Sequence, residues 1–374
     1  MAPKRILIFS LAYYPQKGGA EVSIKELTDR ITDIEFDMIT MCFNVSHPRS
    51  EKVGNVNVYR VGNSASYLDK ILFVPRAAFL ALKLNRKNPY HLFWAMMTNM
   101  LFPITLMRLM GNRTPYILSL QDGDPFEHVF KRFRIRIFMP LLKYGFKNAS
   151  IIQTLSSFLA EWPRKIGYKG KVEVIPNGVD VSRFSLSDGS IKNTEKIVLI
   201  TTSRLVVKNG VRDIIKSLNY LSENVSLDIL GRGPLEEELK SQTEILKLEN
   251  RVRFLGDISQ KDIPRYLSKA DIFVRPSLSE GQGISFIEAM AAGLPVITTP
   301  VGGIPDFLKD GETGLFCEIS NPESIAKQVK RLIDDKDLRA RLVENAKKMV
   351  IEKYDWNFIS NEMTNRVFNV SRST

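Results

Sequence analysis

Short apolar runs recur along the chain, separated by longer stretches with helical patterning. In the first half they are RILIF (5–9), FDMIT (36–40), YILSL (116–120), SIIQTL (150–155) and VEVIP (172–176). In the second half they are KIVLIT (196–201), SLDILG (226–231), VRFLG (252–256), DIFVRP (271–276) and PVITT (295–299). Runs this short, rich in Val and Ile, predict strands buried on both faces. Their alternation with helices predicts parallel sheets of the doubly wound type.

SLSDGSIKNTE (185–195) is polar, lacks apolar anchors and reads as a linker. The α/β class therefore resolves into two Rossmann-like domains, residues 1–184 and 196–354, with parallel sheets facing across a cleft that suits a ligand. The closing run YDWNFISNEMTNRVFNV (354–370) places Trp356, Phe358, Ile359, Met363, Val367 and Phe368 near helical spacing.

The length of 374 residues exceeds what one core usually fills, which agrees with two domains. Hydrophobic content of 44% and charged content of 25% fit a soluble globular protein. The stretch 92–107 is interrupted by Thr98, Asn99 and Pro103 and is too short to span a bilayer. The start, MAPKRILIFS, has no signal-peptide layout, and Cys42 and Cys317 form no disulfide framework or metal spacing. A cytoplasmic setting is expected.

The net charge of +12 is unevenly spread. Residues 1–182 hold 25 Lys and Arg against 14 Asp and Glu, whereas 183–374 hold 28 against 27. The excess peaks in 51–150, with 15 basic and 5 acidic residues. This predicts either an anionic partner for the first half, such as a membrane surface or a polyanion, or simply a solvated basic face. HVFKRFRIRIFMPLLKYGFK (128–147) fits an amphipathic helix on a membrane surface, or a core helix with a basic side; Pro140 is expected to kink it.

SEGQGISFIEAMAAG (279–293) carries the chemistry. Residues 284–292 predict a helix capped by Gly293, apolar except for Ser285 and Glu288, which share one face. A carboxylate on so apolar a helix needs a hydrogen-bonding partner. That partner is either an internal Arg or backbone amide, or the hydroxyls of a sugar ring. Gly281 and Gly283 allow close backbone approach, and the helix N-terminus behind them offers free N–H groups to an anion. Glu280 lies in the same loop, so diphosphate, ribose and hexose sites together describe a nucleotide sugar.

The pair Glu280 and Glu288 within EGQG…EAMAAGLPVITTPVGG resembles the E-x7-E signature of family 4 retaining glycosyltransferases, which have the GT-B fold. YYPQKGGAE (13–21), PNGVDVSRF (176–184), SRLVVKNGV (203–211), LGRGP (230–234) and DGETGLF (310–316) extend the resemblance along nearly the whole chain. It implies that Gly18 and Gly19 lie against donor phosphate and acceptor, and that Arg204 neutralises the diphosphate. It places sugar and phosphate on amides around Gly283, Ile284 and Ser285, ribose on Glu288, and sugar hydroxyls on Glu280 and Gly281. Backbone near Gly231 would meet the base. The final run would cross back onto the first domain as a helix over 355–370.

The chain departs from the family pattern in places. Asn209 stands where a lysine often precedes the glycine of the phosphate turn, with Lys208 one residue earlier. Gln121 replaces a common His after YILSL; it bonds to sugar but is no acid or base near neutral pH. Asp306 stands for the usual Glu. The implied function is transfer of a hexosyl group to a glycan or lipid-linked acceptor, with no cofactor, metal or nucleic-acid partner. A sugar-nucleotide epimerase, a phosphorylase and a non-catalytic binder are the rivals on this fold. A dehydrogenase would need G-x-G-x-x-G, which SLAYYPQKGGAE lacks.

Overall fold

A computed structural model describes residues 3–16, 18–124, 126–130, 137–184 and 195–369. The chain divides into two units: one runs to Asn177 and takes the chain back from Trp356, and the other is Gly178–Asp355.

The first unit is built on eight strands: β1 (Lys4–Phe9), β2 (Ile34–Met41), β3 (Ser50–Val53), β4 (Val56–Val61), β5 (Leu92–Met96), β6 (Tyr116–Leu120), β7 (Ile151–Thr154) and β8 (Lys171–Val174). Their order is β3-β4-β2-β1-β5-β6-β7-β8, parallel throughout except for the β3–β4 hairpin. The central strands are buried on both faces, because helices cover each side of a parallel sheet. One face packs Phe9, Phe93 and Leu118 against the helices Tyr67–Lys87 and Leu101–Leu109. The other packs Ile8, Phe36 and Trp94 against the helix Gly19–Arg30 and the end of the chain.

That end is part of the core. The helix Trp356–Met363 and the turn Thr364–Phe368 bury Trp356, Ile359, Met363, Val367 and Phe368 in the first unit. Phe368 meets Trp94 edge-on at 5.0 Å between ring centroids, and Arg366 forms an ion pair with Glu173 on β8.

The second unit has six parallel strands: β9 (Ile197–Thr202), β10 (Val225–Leu230), β11 (Val252–Gly256), β12 (Ile272–Arg275), β13 (Val296–Thr298) and β14 (Leu315–Phe316). Their order is β11-β10-β9-β12-β13-β14. The strand order reverses between β9's two neighbours, the position at which open α/β sheets bind ligands beyond the carboxyl ends of their strands. The helix Ile284–Ala291 follows β12 and packs Phe286, Ile287 and Met290 into the core.

Three expectations change. The domain boundary lies at Asn177 rather than 184, because the Val179 N–H donates to the Tyr354 carbonyl (2.7 Å) and Phe184 is buried in the second unit. Pro140 starts a helix rather than interrupting one among the described residues: it stands in the first turn of Met139–Lys147, where its missing N–H leaves no hydrogen bond unmade, and 131–136 lie outside the described residues. β3, β4, β5 and β14 are strands that the uninterrupted apolar runs did not announce. Most of the linker 185–195, and the basic residues Lys131, Arg132, Arg134 and Arg136, lie outside the described residues. Among the described residues no helix is long and apolar enough to cross a membrane.

Candidate active site

In the second unit the predicted residues gather after the carboxyl ends of β9, β10 and β12. The organising group is one that sequence reasoning missed. Arg275, the last residue of β12, is 8% exposed and forms an ion pair with Glu280. Its guanidinium also donates to Ser285 Oγ (2.6 Å) and Asn209 Oδ1 (2.9 Å). Asn209 Nδ2 in turn donates to the Arg204 carbonyl (2.6 Å), and the Leu278 N–H donates to the Lys208 carbonyl (2.6 Å). The turn after β9, the loop after β12 and the start of the helix Ile284–Ala291 are thus one hydrogen-bonded assembly.

Glu280 is therefore not a free carboxylate. One oxygen meets Arg275 and the other accepts the Gly281 N–H at 3.0 Å. The internal-Arg alternative raised for Glu288 applies to Glu280 instead. A signal was present in the sequence: Arg275 interrupts an apolar strand, and a buried cation requires a carboxylate nearby.

Glu288 is different. It is half-buried, accepts no hydrogen bond from any side chain among the described residues, and feels only the Arg183 charge. Burial pushes its carboxyl up to about 7, with Arg183 opposing. The residue keeps some exposure to solvent, and no described side chain occupies its carboxylate.

Arg204 follows β9, is exposed, and has no side-chain partner among the described residues. Lys208 is half-buried in the same turn. Gly283 caps the helix Ile284–Ala291 in the left-handed region, at φ 83°, and a Cβ there would sit 2.4 Å from the Phe286 ring. Only glycine turns the chain at that point, leaving the first amides of the helix without a side-chain cap. Gly231, at φ 131°, brings the loop after β10 against the turn after β9, where a Cβ would lie 2.0 Å from the Ser203 carbonyl oxygen.

The remaining predicted residues belong to the first unit. Gly18 caps the helix Gly19–Arg30, and Glu21 folds back onto the amides at that helix start. Burial raises the Glu21 carboxyl, opposed by those backbone hydrogen bonds. Gly19 faces open space. Gln121 follows β6 and donates to Ser23 Oγ (3.3 Å), with Asn177 on its other side (3.3 Å). Gly18, Gly19 and Gln121 thus share the carboxyl end of the first sheet. Among the described residues no group of three or more His, Cys, Asp or Glu is placed to hold a metal ion.

Comparison with known proteins gives this arrangement a family. Residues 17–183 match Glycosyltransferase Family 4, and residues 183–349 match glycosyl transferases group 1. The chain is a family 4 glycosyltransferase. An uncharacterised glycosyltransferase of Methanocaldococcus jannaschii is 28% identical to it, over 94% of this chain and 95% of the relative. The lipopolysaccharide core biosynthesis glycosyltransferase LpsE of Rhizobium meliloti is 29% identical over 61% of this chain and 67% of its own. Among solved structures, Anabaena HepE in complex with UDP and glucose superposes with a TM-score of 0.80 at 21% identity, covering 98% of this chain and 100% of HepE. The sucrose-phosphate synthase of Thermosynechococcus elongatus gives 0.83 at 18%, covering 96% and 97%. The fold of this glycosyltransferase is GT-B.

Proposed function

We propose that this glycosyltransferase moves a hexosyl group, with retention and without a metal ion, from a nucleoside-diphosphate sugar to a glycan or lipid-linked acceptor in polysaccharide or glycolipid assembly. The observation that carries the reading is the pairing of an uncommitted Arg204 guanidinium with the uncapped N-terminus of the helix Ile284–Ala291. Both are positive partners for a diphosphate. HepE, solved with UDP-glucose, and a mycobacterial relative named as a GDP-mannose-dependent mannosyltransferase support the donor class. LpsE supports the acceptor class.

In this reading the bond from the anomeric carbon to the diphosphate oxygen breaks while the acceptor oxygen attacks from the same face. The acceptor proton passes to the departing phosphate oxygen. Charge develops on the diphosphate, so Arg204, Lys208 and the helix amides stabilise the transition state more than the ground state. Glu288 accepts the ribose hydroxyls, and Glu280, held by Arg275, presents its loop to the hexose. The basic first unit rests on an anionic membrane surface.

Nucleotide binding to the native state raises its melting temperature by mass action. UDP, GDP and ADP are therefore screened by thermal shift, and nucleotide release is followed with and without acceptor in the presence of EDTA. Release that requires acceptor, survives EDTA and yields an axial linkage from an axial donor, read by NMR, supports the proposal. Loss of release in EDTA, or an inverted product, overturns it.

A further inference from the structure

The first unit carries an apolar groove that the donor chemistry does not use. It encloses about 570 Å³, within the roughly 300–1,000 Å³ of ligand-sized pockets. The helix Tyr67–Lys87 contributes Ile71, the helix Leu101–Leu109 contributes Leu106 and Leu109, and Phe138 closes the third side. The rim is apolar as well as the floor: Ile71, Leu109 and Phe138 are 52%, 63% and 49% exposed. Large apolar side chains left in water around an apolar cavity mark a surface that another molecule covers.

Two further observations say what covers it. Lys70 lines the groove and forms no ion pair among the described residues, so a single cation stands at a mostly apolar opening whose other polar lining residues, Asn99 and Thr105, are uncharged. It lies within 51–150, which holds 15 basic residues against 5 acidic ones. The groove is therefore matched to a molecule with a hydrocarbon body and an anionic head. Its position is equally informative. Leu11 follows β1 and Asn99 follows β5, and both line the groove. It thus opens at the carboxyl end of the first sheet, the end that carries Gly18, Gly19 and Gln121.

We infer that the groove holds the hydrocarbon chain of a lipid-phosphate-linked acceptor, with Lys70 near the phosphate and the sugar end toward Gly18 and Gln121. The inference rests on the transferase reading and narrows its acceptor to a lipid-linked one. Binding by the chain explains why apolar area persists where a soluble glycan would need hydroxyl partners.

The test titrates farnesyl phosphate, below its micelle-forming concentration, into the full-length protein by calorimetry. Inorganic phosphate is the control. Ile71→Glu with Leu109→Glu changes exposed positions only, so the fold is kept, and Lys70→Glu reverses the charge. Saturable binding of farnesyl phosphate but not phosphate is expected, weakened at least tenfold in the double variant and severalfold in Lys70→Glu, with nucleotide affinity unchanged. Absent binding to the wild type, or equal binding to the double variant, overturns the proposal. So does self-association that the double variant abolishes without any farnesyl phosphate binding, which makes the groove a protein interface. Nucleotides are titrated into the same samples: failure of UDP, GDP and ADP alike removes the donor reading while the farnesyl phosphate result still decides the groove.

Discussion

Arg275 and Glu280 form a buried ion pair that ties the end of β12 to the loop ahead of the helix Ile284–Ala291. Removing one member of such a pair leaves an uncompensated buried charge, which costs about 3–5 kcal/mol. Glu280→Ala and Arg275→Met are each expected to lower the melting transition of the second unit. Arg275→Met combined with Glu280→Leu recovers much of the loss. Calorimetry of the four proteins measures the coupling, and additive losses would contradict a direct pair. Activity lost in Glu280→Ala alone therefore reports on the loop as much as on any sugar contact.

Arg204 and Glu288 give a cleaner probe of donor binding. Neither is held in place by a side-chain hydrogen bond among the described residues, so Arg204→Ala and Glu288→Gln leave the fold intact. Loss of a charged hydrogen-bond partner costs about 1.5–3 kcal/mol, roughly tenfold to a hundredfold in affinity. Titration calorimetry with the cognate nucleotide should show that drop in both variants. Unchanged affinity in both would place the diphosphate elsewhere.

The raised Glu288 carboxyl predicts a pH dependence with a definite sign. Its folded value of about 7 lies above the ordinary value of 4.5. Between the two the native state binds more protons, so this group's stabilising contribution is complete below about 4.5 and is lost as pH rises through 7. Glu288→Gln should flatten the melting-temperature profile over that window and raise it above pH 7. If the carboxylate is the form that accepts ribose hydroxyls, nucleotide affinity in the wild type rises from pH 6 to pH 8. A variant whose profile parallels the wild type would show that Glu288 titrates normally.

The chain end gives a fourth test. Ending the protein after Asp355 removes Trp356, Ile359, Met363, Val367 and Phe368 from the first core. Each fully buried apolar side chain of this size contributes about 1.5–3 kcal/mol. The three tryptophans, Trp94, Trp162 and Trp356, all belong to the first unit, so the fluorescence of the remaining two follows its unfolding. A large drop in that transition is expected; an unchanged one would make the terminal helix dispensable.

Much of this was legible before any coordinates. The uninterrupted Val- and Ile-rich runs named ten strands, and the lone polar face of 284–292 found the helix behind the site. The omissions have physical causes. β4 alternates rather than running apolar, and its Arg60 is buried by bonds to the Pro48 and Tyr14 carbonyls that no local pattern encodes. β5 was hidden inside a longer apolar stretch that continues into the helix Leu101–Leu109, and periodicity does not separate two buried elements laid end to end. The Arg275 network joins residues 66 positions apart, Asn209 and Arg275, through side chains alone.

The membrane reading is tested on the whole protein. Binding to phosphatidylglycerol vesicles should be strong at low salt and fall as salt rises, since each basic residue near the surface contributes on the order of 1 kcal/mol. Reversing Lys131, Arg132, Arg134 and Arg136 to Glu should release the protein without altering nucleotide affinity. Wild-type protein that stays in the supernatant at low salt would favour a soluble acceptor.

The return of the terminal segment to the first unit also sets a schedule for biosynthesis. On the ribosome, the first unit is begun before the second yet completed after it, because the segment that completes its core follows Gly178–Asp355 in the chain. The whole of Gly178–Asp355 must be translated in between, an interval of roughly ten to forty seconds at about 5–20 residues per second. During that interval Trp94 and Phe36 lack the covering that Phe368 later supplies. The nascent first unit therefore presents an apolar face for chaperones to shield, while the second unit emerges as one continuous segment able to close its own sheet.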